Sequence, residues 1–466
     1  QEGKAALATK REGDALTIGN DGFQVKFDMA SGAIAGLSYG GLDVIVPGKG
    51  PKLDAFRAPT DNDAGAGYDG PWFSNGLYNL QHKALDSSVQ TLPNGNVQVV
   101  FTVESQGKEG CRQVYGNGNR DPQSAYRFDQ GVRQLGPNDF KFTTVQVYTV
   151  YPDGSVELQS NISSNNPSLL LPRIGYSLEL PKAFSQYDYY GRGPVNNYND
   201  RRTASFIEHY RTTVDKADIM LPKPQSMGNR EEVRWCALTN PAGRGVLFIA
   251  DGQMSTSALP WTQRQLAEAP HPHQLPASTS TVLHLDAKVT GLGGASCGQG
   301  GPLRPDRAYA SDRNFGFIIR PINIGRAAPS IIGQHAHVSG SGEQPFGISR
   351  DRVGKVTITA PQAGRQMMYR INGAKRAVAY SQPFDLRAGG TLEVWYKDNP
   401  TLKVKRSYEA ITSVPLEVVF VSSFEPGEGA ERVVDGDPGT IWHTDYGVTV
   451  TKYPHWIDFD AAEVKN

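Results

Sequence analysis

The chain has 466 residues, room for two or three domains at about 100–200 residues each. Lys plus Arg and Asp plus Glu both number 47, so no global field recruits nucleic acid or an anionic membrane. It has no run of about 18 apolar residues, so no helical membrane span is expected.

Glycine (51) and proline (31) are abundant, methionine (6) is scarce and helical periodicity is rare, which predicts an all-β protein with many turns. The three cysteines, Cys111, Cys236 and Cys297, are too few and too odd in number for a disulfide framework. Cys236 reads as a small buried apolar residue. Cys297 lies in a glycine-rich loop with no His or Lys beside it in sequence to lower its pKa. Gln1 is not a natural start, so an upstream part is expected to be missing.

Residues 15–48 read as a β-meander. Leu16 and Ile18 alternate before the hairpin signal Asn20-Asp21-Gly22, and Phe23, Val25 and Phe27 share one face. A second turn at Gly40-Gly41 leads into Val44-Ile45-Val46. Asp61, Asn62 and Asp63 then place three oxygen ligands in a row. Calcium suits them by type, but the EF-hand spacing is absent; a structural role with a salt bridge to Arg57 and a sugar-facing rim are the other readings. Trp72, Phe73 and Tyr78 suit stacking on sugars or simple burial.

Strands are predicted at 97–103, 140–151 and 155–162, with a long inserted loop from Gln106 to Asn138. Asn161-Ile162-Ser163 matches a glycosylation sequon at a strand end. Tyr189–Arg202 reads as a rigid polar loop, Gly191 and Gly193 supplying backbone angles closed to other residues. Pro224–Leu238 is a Gly/Asn turn and then a strand with Val233, Trp235 and Ala237 on one side. Val246–Ala250 reads as a short buried strand. Thr262–Gln265 is a capping box opening a short helix that Pro270 ends, and Thr281–Leu285 is a further strand. His271, His273 and His284 lack the carboxylate or cysteine partners of a zinc site. Gly291–Gly298 has no following helix and no Gly-Lys-Ser/Thr, which excludes a P-loop.

Three segments carry a resemblance in a fixed order: Arg57-Ala58-Pro59-Thr60-Asp61-Asn62-Asp63, Gly191-Arg192-Gly193-Pro194 through Tyr198-Asn199-Asp200-Arg201, and Pro224-Gln225 through Gly228-Asn229-Arg230 to Val233-Arg234-Trp235. Together they resemble the C-terminal domain of family 2 β-galactosidases. Leu259-Pro260, His271-Pro272-His273 and Leu283–Asp286 extend that resemblance. It implies a large antiparallel supersandwich, galactose-mutarotase-like, over residues 1–326.

In that family the catalytic glutamates sit on a (β/α)₈ barrel, whose strand–helix alternation this sequence lacks. The resemblance therefore implies a non-catalytic portion of a β-galactosidase that works on terminal β-galactosides by a retaining mechanism. Its partners would be the glycan substrate and the missing N-terminal domains, with homo-oligomers common in the family. Rim residues for the substrate would be Asp61, Asn62, Asp63, Gly294, Ser296 and Cys297. Some members carry a tryptophan in the glycine loop, where this chain has Cys297-Gly298.

Residues 330–411 carry short alternating runs and the hairpin signal Asn372-Gly373, predicting a small immunoglobulin-like sandwich. Tyr369–Gly373 with Pro383-Phe384 resembles the small C-terminal sandwich of bacterial hexosaminidases. Residues 414–466 resemble the opening of a discoidin-like, family 32 carbohydrate-binding module, expected as a truncated, partial jelly-roll. There Asp435 and Asp437 would help hold Ca²⁺. Such modules imply a periplasmic or cell-surface setting. Two alternatives compete: a stand-alone carbohydrate-binding protein, and a mutarotase-type epimerase using His284 with Glu268.

Overall fold

A computed structural model of the chain describes residues 5–112, 126–293, 301–334, 346–351, 353–360, 364–411, 416–435, 440–447 and 449–461. The protein is all-β and its strand pairs are antiparallel. A twelve-stranded sheet dominates. Its main path runs Phe206–Thr213, Gln186–Gly193, Arg230–Thr239, Arg244–Leu259, Arg313–Asn323, Val156–Ser164, Lys141–Val150, Val97–Gly107 and Leu80–Thr91. A branch leaves it through Ser280–Val289 to Arg173–Pro181 and Lys52–Asp54.

The split occurs along one strand. Arg244–Leu259 is far longer than the predicted Val246–Ala250: residues 244–250 pair with 317–323, and residues 255–259 pair with 282–286. Between the two halves the polar run Asp251-Gly252-Gln253 is exposed, so apolar patterning marks only the first half as a strand.

The meander at the start forms a five-stranded sheet from Ala8 to Asp43, covering the large sheet. Its last strand is Leu42–Asp43, ahead of the predicted Val44–Val46. Asn20 pairs with Phe23, leaving Asp21-Gly22 as the two-residue turn. The alternating Phe23, Val25 and Phe27 all point into the core, where Phe27 meets Tyr148 edge-on at 5.1 Å and Phe101 at 6.2 Å. The inserted region after Gln106 sends Tyr126 and Phe128 into the same core. Trp72 and Phe73 are fully buried there, as packing residues rather than sugar platforms, and Tyr78 packs beside them at 8% exposure.

Residues 346–411 form a three-stranded and a four-stranded antiparallel sheet around Phe346, Ile348, Val356, Leu392, Val394 and Tyr396. Asn372 and Gly373 both take positive φ at the predicted turn. This small sandwich shares its core with Val100, Val145 and Val147 of the large sheet. Further on, Leu416–Val421 pairs with Ile457–Ala461.

Candidate functional site

The three motif segments, far apart in sequence, converge with the base of the glycine loop. Segment 54–63 enters as the Lys52–Asp54 strand and ends in a short helix, Asp61–Gly65. Thr60 and Asp63 form a reciprocal capping box: Thr60 Oγ1 accepts from the Asp63 amide at 3.2 Å, and Asp63 Oδ2 accepts from the Thr60 amide at 2.9 Å.

Asp63 also receives both arms of Arg57, at 3.0 and 2.6 Å, with the two side chains 2% and 0% exposed. Arg57 continues to the carbonyls of Thr290 and Gly291, the latter at 3.1 Å. A guanidinium has enough donors for a bidentate carboxylate and two carbonyls at once. The pair therefore ties the 54–63 segment to the end of the Ser280–Val289 strand.

This geometry divides the acidic run. Asp63 takes the structural reading, with its salt bridge to Arg57, rather than the rim one: its carboxylate is buried and accepts three hydrogen bonds, two from Arg57 and one from the Thr60 amide. Asp61 and Asn62 are exposed. Asp61 lies 3.5 Å from Lys223 Nζ, and Asn62 Nδ2 donates to the Leu292 carbonyl at 2.8 Å. Asn62 thus stands at the mouth of the glycine loop. Gly294, Ser296 and Cys297, the other expected rim residues, lie outside the described residues.

From the opposite side the 189–202 segment reaches the same loop. Asp200 accepts from the Leu292 amide at 3.1 Å and the Gly293 amide at 2.8 Å, while Asn199 Nδ2 donates to the Val289 carbonyl at 2.7 Å. A Cβ on Gly291 would sit 2.4 Å from the Asp200 carboxylate, so only glycine permits this approach. Sequence reasoning marked Asp200 as part of a motif but not as the clamp on the loop. The signal was there: a carboxylate in one Asx-rich loop and bare amides in another.

The 189–202 segment is not all loop. Tyr189–Gly193 completes the Gln186–Gly193 strand, and irregular backbone begins at Pro194. Gly191 and Gly193 do not have positive φ. Gly191 is required by packing, because a Cβ there would meet the Val233 backbone at 2.8 Å.

The third segment locks onto the second. Asn197 Oδ1 accepts from the Glu231 amide at 2.8 Å, and Asn229 Nδ2 donates to the Asn197 carbonyl at 2.8 Å and to Glu231 Oε1 at 2.7 Å. Ser255 adds a second donor to Glu231 Oε1 at 3.0 Å. Burial still pushes the Glu231 carboxyl up to about 7. The Arg230–Thr239 strand is bulged on both sides of Val233, and Glu232 has φ 54°. The bulges turn Val233 to the main core, while Trp235 and Ala237 face a separate cluster with Leu247, Ile249, Ile318 and Ile322. Val233 therefore does not share a face with Trp235 and Ala237, contrary to strict alternation.

The remaining candidates separate. His284 is buried and its acidic neighbour is Asp54, 3.5 Å away; Glu268 is half-exposed in an ion pair with Arg264 at 2.9 Å. The expected His284–Glu268 pair is corrected accordingly. His271 and His273 stack on each other at 5.5 Å. Among the described residues no group of three His, Cys, Asp or Glu is placed to hold a metal ion. Asp435 accepts from Thr440 Oγ1 at 2.7 Å, and Asp437 lies outside the described residues.

Residues 19–319, holding all the converging segments, match the family described as beta galactosidase small chain. The chain belongs to that family. Relatives named beta-galactosidase are 27% identical over 312 residues in Halalkalibacterium halodurans, covering 65% of this chain and 27% of that protein. In Priestia megaterium the figures are 25% over 319 residues, covering 68% and 27%; in Staphylococcus xylosus, 31% over 158 residues, covering 34% and 16%. The chain thus spans about a quarter of the length of the first two relatives. Among solved structures, a galactose 1-epimerase from Lactobacillus acidophilus aligns over 68% of this chain and 98% of its own at TM-score 0.35 and 8% identity. The converging segments all lie within the residues that this family matches.

Proposed function

We propose that this chain is the C-terminal, non-catalytic portion of a family 2 β-galactosidase that releases terminal β-galactose with retention of configuration. The convergence of segments 54–63 and 189–202 on the base of the glycine loop, with segment 224–238 locked onto both, carries this reading. Arg57, Asp63, Asp200 and Asn199 hold that loop rather than reacting with anything. Exposed Asp61 and Asn62, beside the loop opening at Leu292-Gly293, are positioned to contribute hydrogen bonds to a sugar at the rim of a barrel supplied by other domains.

Retention requires two carboxylates about 5–5.5 Å apart on the barrel, which the resemblance assigns outside this chain. Three units, 1–326, 330–411 and 414–466, belong to this proposal. The last two follow the resemblance to a hexosaminidase-type sandwich and a discoidin-like module, as do Ca²⁺ at Asp435 and Asp437 and a periplasmic or cell-surface setting.

The test is reconstitution. The chain alone should not hydrolyse a chromogenic β-galactoside, and adding a separately produced N-terminal barrel portion should restore turnover. Hydrolysis by the chain alone would overturn its non-catalytic role. Assembly of the two portions without activity would overturn the rim role.

A further inference from the structure

A cavity of about 330 Å³ lies at the start of segment 54–63, which lends it Asp54 and Phe56, and is lined by the branch of the large sheet. Asp54, Ser177 and His284 come from its three strands: Ser177 pairs with His284, and Asp54 pairs, two residues along, with Gly175. The wall opposite is the start of the Gln263–Glu268 helix together with Phe56 and Tyr78. Its volume is at the small end of pockets that take small molecules, roughly 300–1,000 Å³, so it accommodates a single ring rather than an extended chain.

Buried side chains lining this cavity, His284 and Gln263 among them, have polar atoms without a hydrogen-bond partner among the described residues. His284 is 2% exposed and neither ring nitrogen is bonded, Asp54 standing 3.5 Å from Nδ1. Gln263 is 4% exposed; its Oε1 accepts from the Ala58 amide at 2.9 Å, which fixes the amide's orientation and leaves Nε2 as an unmatched donor. Buried polar atoms are normally satisfied, so two such residues on one cavity point to a polar occupant.

The chemistry of that occupant follows from what is unmatched. Burial, reinforced by nearby Arg173, lowers the His284 pKa well below its usual value, so the imidazole is neutral and offers one donor and one acceptor. Gln263 adds a donor, and the Asp54 carboxylate, which already accepts from the Phe56 amide at 2.9 Å, has lone pairs left to accept another bond. Donors and acceptors in alternation match adjacent hydroxyl groups, each of which does both.

The cations at the mouth are already engaged: Lys49 with Glu179 at 3.0 Å, Arg264 with Glu268 at 2.9 Å, and Lys52 on the Gly48 carbonyl at 3.0 Å. That disfavours an anion. The Phe56 and Tyr78 rings offer apolar faces for C–H groups.

We propose that this cavity binds one neutral monosaccharide, held through a vicinal pair of hydroxyls by Gln263, His284 and Asp54. The site is independent of the β-galactosidase reading and is read by binding rather than by hydrolysis.

The test titrates the full chain with D-galactose, D-glucose and their mono-deoxy analogues, following histidine ring resonances by NMR and heat by calorimetry. Saturable binding in the millimolar range is expected, on the order of −4 kcal/mol. It should move the His284 ring signals and leave those of exposed His271 and His273 in place. Removing one hydroxyl of the recognised pair should weaken binding at least about tenfold, because it strands a buried partner. Gln263→Leu and His284→Gln should do the same. If either variant fails to fold, the ring signals of the unaltered chain still decide. No saturable binding, meaning a cavity filled by water only, overturns the proposal, and so does binding that leaves the His284 signals unmoved.

Discussion

Asp200 holds two successive amides of the glycine loop, Leu292 with one oxygen at 3.1 Å and Gly293 with the other at 2.8 Å. The residue before them, Gly291, lies so close that a Cβ would fall 2.4 Å from the same carboxylate. The clamp and the glycine are therefore one device, and its parts should be non-additive.

Gly291→Ala should destabilise the chain by about 1–3 kcal/mol through overpacking. Asp200→Ala should cost about 1–3 kcal/mol by leaving two amides without their acceptor. In the double variant the alanine has no carboxylate to meet, so the sum should fall short by about 0.5–3 kcal/mol. Urea unfolding of the four proteins measures this; strict additivity would show that the two residues do not interact.

Asp63 and Asp61, two residues apart, should behave oppositely. Asp63→Ala strands the fully buried Arg57 charge and should cost about 3–5 kcal/mol. Asp61→Ala removes a half-exposed carboxylate from a long 3.5 Å pair with Lys223 and should cost far less, about 1 kcal/mol. In the reconstituted enzyme Asp61→Ala should raise KM for a β-galactoside. Equal stability losses for the two would contradict the burial difference.

Glu231 sets a pH dependence with a definite sign. Burial raises its pKa from 4.5 to about 7, so the folded chain holds that proton more tightly than the unfolded chain. The stabilisation from this group is complete below about pH 4.5 and is lost as pH rises through about 7. Glu231→Gln keeps the acceptor for Asn229 and Ser255 and cannot ionise. The variant should gain on the parent as pH goes from about 5 to about 8, by on the order of 1–3 kcal/mol. Thermal melts across that range test it; a constant difference would mean that Glu231 does not titrate there.

Much of the fold was legible in the sequence because it lies in turns and alternation. Asn20-Asp21-Gly22, the Thr262 capping box and the Phe23, Val25, Phe27 alternation are local signals, and each forms as expected. What local patterns could not show were long-range effects. Leu80–Thr91 was missed because it is an edge strand, largely polar and exposed, with a bulge near Ala84. The double bulge around Val233 changes which face each side chain takes, and nothing in Glu231–Trp235 announces it.

The site was legible as three motifs in order but not as contacts. Asn62 with Leu292, and Asp200 with Gly293, join residues more than 90 positions apart. For Asp63 the sequence offered both a structural role paired with Arg57 and a place on the rim; the pair forms, and the burial that decides between the two was not visible in the sequence.

The shared core of Val100, Val145 and Val147 bears on how the protein can be handled. The run Val97-Gln98-Val99-Val100-Phe101-Thr102-Val103 departs from strict alternation because both faces of these strands are covered, one by the meander and one by the small sandwich. A protein cut back after Asn323 would carry a bare valine stripe on a wide sheet and should self-associate on purification. Changing those three valines to threonine should restore a monodisperse product, measurable by light scattering. The small sandwich thus acts as a solubility cover for the large sheet, whatever else it contributes.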